Sequence, residues 1–238
     1  MLNRVTTSEK IMSLNFSSIP SRIEEVFSFI RVSSAGRSKL REFLPRYFGG
    51  HIQVRVVSKI DDIQGVSESS LAGTPAAALI CDEARRTLFV QENVELGLLA
   101  PLFFHEMVHS VDEDYVSSFS TQQRLWSDFY KKAESIIRDV GIRQKKKCLE
   151  LREKDLRVAE LDEIRRLRDL AERFDHVRCF LAERKAYSEL HAFVGQLCNR
   201  LPGYREYLVK QRENGYCLDR PISDDEIVSG YRLKRKYV

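Results

Sequence analysis

The chain has 238 residues, of which 43% are hydrophobic and 31% are charged, a balance typical of a globular protein rich in exposed helix. Its 39 basic and 35 acidic residues leave a formal net charge of +4, which is too small to require nucleic acid or an anionic membrane as a partner. The five cysteines are scattered and form no CxxC pair, so the sequence predicts neither a disulfide framework nor a cysteine zinc site.

No apolar run approaches the length of a membrane span, and the amino terminus lacks the apolar core of a signal peptide. We therefore expect no membrane span and a cytoplasmic location. Residues 1–20 are rich in serine and threonine and predict an irregular amino-terminal arm.

Two helices and a small sheet are predicted next. Ser21 and Glu24 stand at the spacing of a capping box and start the first helix. The second helix ends at Gly49-Gly50. The alternating stretch HIQVRVVS predicts a strand, and AALIC and RTLFVQ predict a hairpin. An apolar helix follows, with Pro101 expected in its first turn.

From Thr121 to Leu197 the pattern is almost wholly helical, with charges opposite two apolar stripes. We interpret residues 121–177 as a coiled-coil-like helical hairpin inserted into a core made of residues 21–120 and 178–238. A short helix then precedes a basic tail. The predicted fold class is α+β and predominantly helical, with a short antiparallel or mixed sheet.

The pentad His105-Glu106-Met107-Val108-His109 is the strongest chemical signal in the sequence. Residues four apart lie on one helix face with Cβ atoms about 5–6 Å apart, so two imidazoles at this spacing can bind one zinc ion. Glu106 projects beside the same cleft and can accept a proton from a metal-activated water. The pentad therefore predicts a hydrolase with Zn2+ bound by His105 and His109 and with Glu106 as general base.

A catalytic zinc needs a third protein ligand. Metzincins continue with a glycine and a histidine where this chain has Asp112 and Tyr115, so we expect Asp112 to orient a ligand imidazole instead. A later helix carries Glu183 and His176 on one face, but they lie too far apart to bind the same ion. Glu189 is a further candidate on this helix.

The segment Glu183-Arg184-Lys185-Ala186-Tyr187 resembles the third-ligand helix of gluzincins, the zinc metallopeptidases with a glutamate ligand. The resemblance covers residues 50–115 and 178–195. It implies a small zincin core, a zinc endopeptidase activity and a peptide or protein substrate. The metal ligands that it implies are His105, His109 and Glu183.

The resemblance also implies a mechanism in which a metal-activated water attacks a peptide carbonyl while Glu106 takes its proton and passes it to the leaving amine. Tyr187 and His191 lie one and two turns beyond Glu183, and both are candidate donors to the oxyanion. Strand residues 86–91 could bind the substrate backbone by strand addition.

Glu183 follows His109 by 74 residues, a longer interval than compact gluzincins have, and the insertion at 121–177 accounts for the excess. Its position between the proposed ligands indicates an arm that gates the cleft, recruits substrate or docks a protein partner. The basic clusters at 143–147 and 232–236 are compatible with nucleic acid. However, no aromatic residues are interleaved around the 143–147 cluster.

The alternative hypothesis is a non-catalytic helical protein with an interaction or regulatory role, built on a zincin-like core. The intact Glu106 argues against it, because a purely structural metal site does not need a base.

Overall fold

The computed structural model describes residues 20–59, 77–81, 86–197, 203–213, 218 and 220–228. Helices α1 (Ser21–Ile30) and α2 (Ser34–Phe48) precede strands β1 (Ile52–Val57), β2 (Ala77–Cys81) and β3 (Arg86–Gln91). Helices α3 (Leu96–Val111), α4 (Glu113–Gln144), α5 (Val158–Leu197) and α6 (Tyr204–Glu213) follow. The protein is therefore predominantly helical α+β, as predicted. None of the helices described is long and apolar enough to cross a bilayer.

The predicted starts and ends of α1 and α2 are partly correct. The apolar positions of α1 that follow the helical period are all buried. Its capping box is wrong, because Pro20 occupies the N-cap and no side chain caps the helix. Helix α2 ends before Gly49 as expected, and Gly50 takes a positive φ of 76° that favours glycine. The irregular arm predicted for residues 1–20 lies outside the described residues except for Pro20.

The sheet has the order β1-β3-β2, with β1 parallel and β2 antiparallel to β3. This pairing confirms the three predicted strands and the hairpin arrangement of β2 and β3, whose connection at 82–85 lies outside the described residues. Strand β3 is paired on both sides, with β1 from Arg86 to Gln91 and with β2 from Arg86 to Val90. The prediction that β3 binds substrate by strand addition is therefore wrong, because a central strand has no free backbone groups to offer.

Helix α3 is buried on nearly every face and forms the centre of the core. Phe103 packs edge-on against Phe27 and Phe43 at ring distances of 5.9 and 6.0 Å. A helix that is apolar all round needs such enclosure. The histidine pentad is thus carried on a helix that the core encloses on nearly every face.

Pro101 lies inside α3 rather than in its first turn, which corrects the prediction. A proline at this position cannot donate the backbone hydrogen bond to the carbonyl of Gly97 four residues earlier. The hydroxyl of Tyr207 on α6 donates to that carbonyl instead. The tertiary contact therefore satisfies the acceptor that proline leaves open.

The chain divides into two compact units, one made of residues 1–116 and 182–238 and the other of residues 117–181. Within the second unit, Gln122 donates to Asp175 at 2.7 Å, and Arg143 forms two hydrogen bonds to Glu160. These contacts pair α4 and α5 antiparallel. The predicted insertion at 121–177 lies within this unit.

Candidate metal centre

Helix α3 brings the two histidines of the pentad together. Their Nε2 atoms lie 3.1 Å apart, and the ring centroids are 4.7 Å apart at an angle of 81°. His105 and His109 are buried, with 8% and 5% of their surface exposed. At this distance the two ring nitrogens can hydrogen-bond to each other or bind one ion between them.

Helix α5 contributes a carboxylate to the same point. Glu183 Oε2 lies 3.1 Å from His105 Nε2, and Glu183 Oε1 lies 3.7 Å from His109 Nε2. In the part of the chain that the structure describes, these three residues form a group whose donor atoms all lie within 4.8 Å of one another.

The donor distances fit a tetrahedral metal ion. Ligand bonds of about 2.0–2.2 Å in a tetrahedral zinc site place the donors about 3.3–3.6 Å apart. Here the two Nε2 atoms are 3.1 Å apart, one Glu183 oxygen lies 3.1 Å from His105, and the other lies 3.7 Å from His109. Two histidines with one glutamate form a donor set used by catalytic zinc. The Glu183 side chain keeps 20% of its surface exposed, so solvent reaches the edge of the site.

Electrostatics hold the glutamate in the form that a metal requires. Burial opposes the ionisation of Glu183, but the charge and hydrogen bond of His105 and the hydrogen bond and charge of His109 outweigh burial and keep the pKa of Glu183 well below its usual range. Glu183 is therefore a carboxylate at neutral pH and can act as a ligand.

The packing of α5 determines where Glu183 lies. The ring of Phe193 stacks on Phe104 of α3 at 4.3 Å with planes 6° apart. Ala186 is fully buried, and Glu189 pairs with the buried Lys39 of α2 at 2.7 Å. These contacts hold the last turns of α5 against α2 and α3.

Two aromatic rings border the histidines. Tyr187 packs on His105 with ring centroids 4.7 Å apart, and Tyr115 packs on His109 at 5.1 Å. Glu106 is half-buried on α3, next in sequence to His105. His191 is half-buried on α5, and among the described ring contacts it makes none with His105 or His109.

The structure separates the candidate third ligands. Glu183 meets both histidines, whereas Glu189 is engaged by Lys39. The group of described side chains that could hold a metal ion includes Glu183 and does not include His176. Helix packing at residues far from the pentad in sequence therefore decides which candidate third ligand lies beside the histidines.

The prediction for Asp112 is wrong. Its Oδ1 accepts a hydrogen bond from the Tyr115 backbone N–H at 3.3 Å, and its Oδ2 lies 2.9 Å from Lys185 Nζ. Helix α3 ends at Val111, Asp112 is extended with φ −79° and ψ 99°, and a new helix begins at Glu113. An aspartate followed by two acidic residues is an N-cap signal that could have revealed this break.

The sequence pattern does not reveal the contact of Tyr115 with His109, because Tyr115 only stands where metzincins have a histidine. Its ring reaches His109 because the break at Asp112 turns the chain before α4 begins. The ion pair of Lys185 with Asp112 is not predictable either, because a lysine on a charged helix gives no signal of a specific partner.

Comparison of the chain with protein-family models, with curated proteins and with solved structures gave no match. The likeness to gluzincins is therefore a likeness of short motifs.

The basic cluster at 143–147 is partly neutralised. Arg143 pairs with Glu160, and Lys146 lies 2.7 Å from Asp155. Both pairs remove positive charge that a nucleic-acid phosphate would need. The second basic cluster, at 232–236, lies outside the described residues.

Proposed function

We propose that this protein is a zinc-dependent peptidase, acting as an endopeptidase, in which His105, His109 and Glu183 hold the metal. One observation carries the proposal: two imidazoles from one helix and a carboxylate from another each offer a donor atom, and the three donor atoms lie within 4.8 Å of one another. Glu106 beside His105 adds the base that hydrolysis requires.

Zinc in such a site lowers the pKa of a water molecule and polarises a carbonyl oxygen. Glu106 accepts the proton of the attacking water on its carboxylate and returns it to the leaving amine. Tyr187, whose ring packs on His105, can donate its hydroxyl to the developing oxyanion. His191 is the second donor candidate and lies one turn farther along α5.

The proposed substrate is a peptide or protein segment, and the proposed setting is the cytoplasm. Cys148 and Cys179 form no disulfide within the described part of the chain, which suits a reducing compartment. The helical unit at 117–181 is proposed to recruit the substrate or a protein partner.

The first experiment measures bound metals per chain by mass spectrometry after purification without added metal, for the wild type and Glu183→Ala. We expect one zinc in the wild type and loss of zinc in the variant. Iron in place of zinc would contradict the proposal, because two histidines and one carboxylate also bind non-haem iron.

The activity is tested with Glu106→Gln in a peptide-library cleavage assay. We expect a loss of about 10²–10⁴ in rate with zinc content unchanged. Equal cleavage by wild type and variant would exclude Glu106 as the base.

The second candidate is a non-catalytic interaction protein. It is favoured by large apolar side chains exposed in the 117–181 unit, including Tyr130 at 62%, Val177 at 56% and Leu181 at 56%. Two results together would favour this second function. The wild type would bind zinc but cleave no library peptide, and cells that carry Glu106→Gln would have the same phenotype as cells that carry the wild type.

A further inference from the structure

One ion pair joins the same two helices that form the metal centre. Asp112 is the first residue after α3, three positions after His109, and Lys185 lies on α5 two positions after Glu183. Their Oδ2 and Nζ atoms are 2.9 Å apart, and the Asp112 side chain is only 10% exposed. The contact therefore bridges the histidine helix to the glutamate helix beside the site.

His109 lacks the support that a ligand histidine usually has. Metal-binding imidazoles commonly donate their second N–H to a carboxylate or a carbonyl, which fixes the ring. Nδ1 of His109 is buried and has no hydrogen-bond partner among the described residues. Asp112 is the first carboxylate after His109 in the sequence, and it contacts Lys185 and the Tyr115 backbone N–H instead.

Asp112 therefore acts on the site through two elements. Its Oδ1 accepts from the Tyr115 N–H and its carbonyl accepts from the Val116 N–H, which starts α4. That start puts the Tyr115 ring on His109. Its Oδ2 holds Lys185, and with it the turn of α5 that carries Glu183.

We propose that Asp112 and Lys185 are positioning residues that set the separation of the two-histidine helix and the glutamate helix. The inference rests on the proposed metal function and adds to it a clamp outside the ligands. A tetrahedral site tolerates only small errors in donor position. Loss of the clamp loosens the turn of α5 that carries Glu183 and weakens metal binding.

The test measures zinc affinity by competition with a chromogenic chelator for the full chain and its variants. Asp112→Asn removes the charge pair but keeps an N-cap acceptor, since asparagine caps as well as aspartate. Lys185→Met removes the other charge at a position that is 49% exposed, so folding is retained. Lys185→Arg keeps the pair and is the conservative variant.

The matched control is Lys210→Met. Lys210 forms an interhelical ion pair with Glu95, which precedes α3 at the end far from His109, with a distance of 3.1 Å. The Lys210→Met variant therefore loses an ion pair at the other end of α3 and leaves the metal centre unchanged.

We expect an about two- to fivefold weaker zinc affinity for Asp112→Asn and for Lys185→Met. Lys185→Arg and Lys210→Met should keep near wild-type affinity, and the double variant should be no weaker than either single one. Wild-type affinity in both single variants overturns the clamp while the zinc site stands. A wild type that binds no zinc overturns the proposed function and the clamp together.

Discussion

Glu183 and the two histidines lie close together because the packing of α3 and α5 fixes the position of each side chain. Four-residue spacing puts His105 and His109 over one face of α3, and their Nε2 atoms then lie 3.1 Å apart. Buried polar groups are costly unless they are hydrogen-bonded, and a third group lies within reach of both imidazoles. The carboxylate of Glu183 is that group in the described structure.

Tyr187 offers a test at the same scale. Its ring packs on His105, so Tyr187→Phe keeps the packing and removes only the hydroxyl. If Tyr187 donates to the oxyanion, kcat falls by about 10²–10³ with zinc content unchanged. Tyr115→Phe is the matched control, because it makes the same change in the ring that packs on His109. Equal kcat in Tyr187→Phe and the wild type would leave Tyr187 with packing alone.

At the scale of helices, two glycines differ in how closely a neighbouring element packs against them. A Cβ at Gly36 would lie 1.9 Å from the Ile30 carbonyl oxygen at the end of α1. A Cβ at Gly195 on α5 would meet nothing within 4 Å. The first glycine permits close packing of α1 and α2, whereas the second only weakens a helix.

The same substitution at these two glycines has opposite predicted effects. Gly36→Ala should lower the free energy of unfolding by about 1–3 kcal/mol, because the α1–α2 contact must open. Gly195→Ala should raise it by about 0.5–1 kcal/mol, because alanine favours helix. Denaturant unfolding at pH 7 measures both, and a stabilised Gly36→Ala would contradict this packing.

Glu113 links three elements at the start of α4. Arg86 of β3 and Arg46 of α2 both hydrogen-bond its carboxylate. The hydrogen bonds from Arg86 are the largest cause that lowers the pKa of Glu113, with Arg46 adding to it. A lowered folded-state pKa contributes stability above the unfolded pKa of about 4.3 and loses it as the pH falls through the folded value.

Glu113→Gln should therefore destabilise the protein at pH 7 and have progressively less effect below about pH 4. The loss should stay under about 1 kcal/mol, because the Glu113 side chain is 58% exposed and its ion pairs are screened. Unfolding free energies of wild type and variant from pH 3 to pH 7 give the answer. A gap that widens toward low pH would reverse the assigned sign.

Over the whole molecule, the proposed ligands all belong to one compact unit, since residues 1–116 and 182–238 include His105, His109 and Glu183. Removing residues 125–170 and joining the ends with a short linker leaves the Gln122–Asp175 hydrogen bond in place. We expect this deletion to fold, to bind one zinc with wild-type affinity and to change the choice of substrate. An unfolded product would make the second unit a structural requirement.

Local physics made much of this protein readable from its sequence. The helical period marked the buried face of α1, and the alternation of HIQVRVVS marked β1. The pentad predicted two imidazoles on one helix face, because i and i+4 neighbours are fixed by the helix itself. Each of these features depends on residues only a few positions apart.

Two features depend on contacts between residues far apart in sequence, and only the tertiary structure determines them. Glu183 rather than Glu189 faces the histidines because Lys39 and the Phe104–Phe193 stack fix α5. Strand β3 is central because β1 joins it in parallel across residues remote in sequence. Such contacts follow from how elements of the core exclude water together, and no short pattern records which of several equivalent side chains that packing will choose.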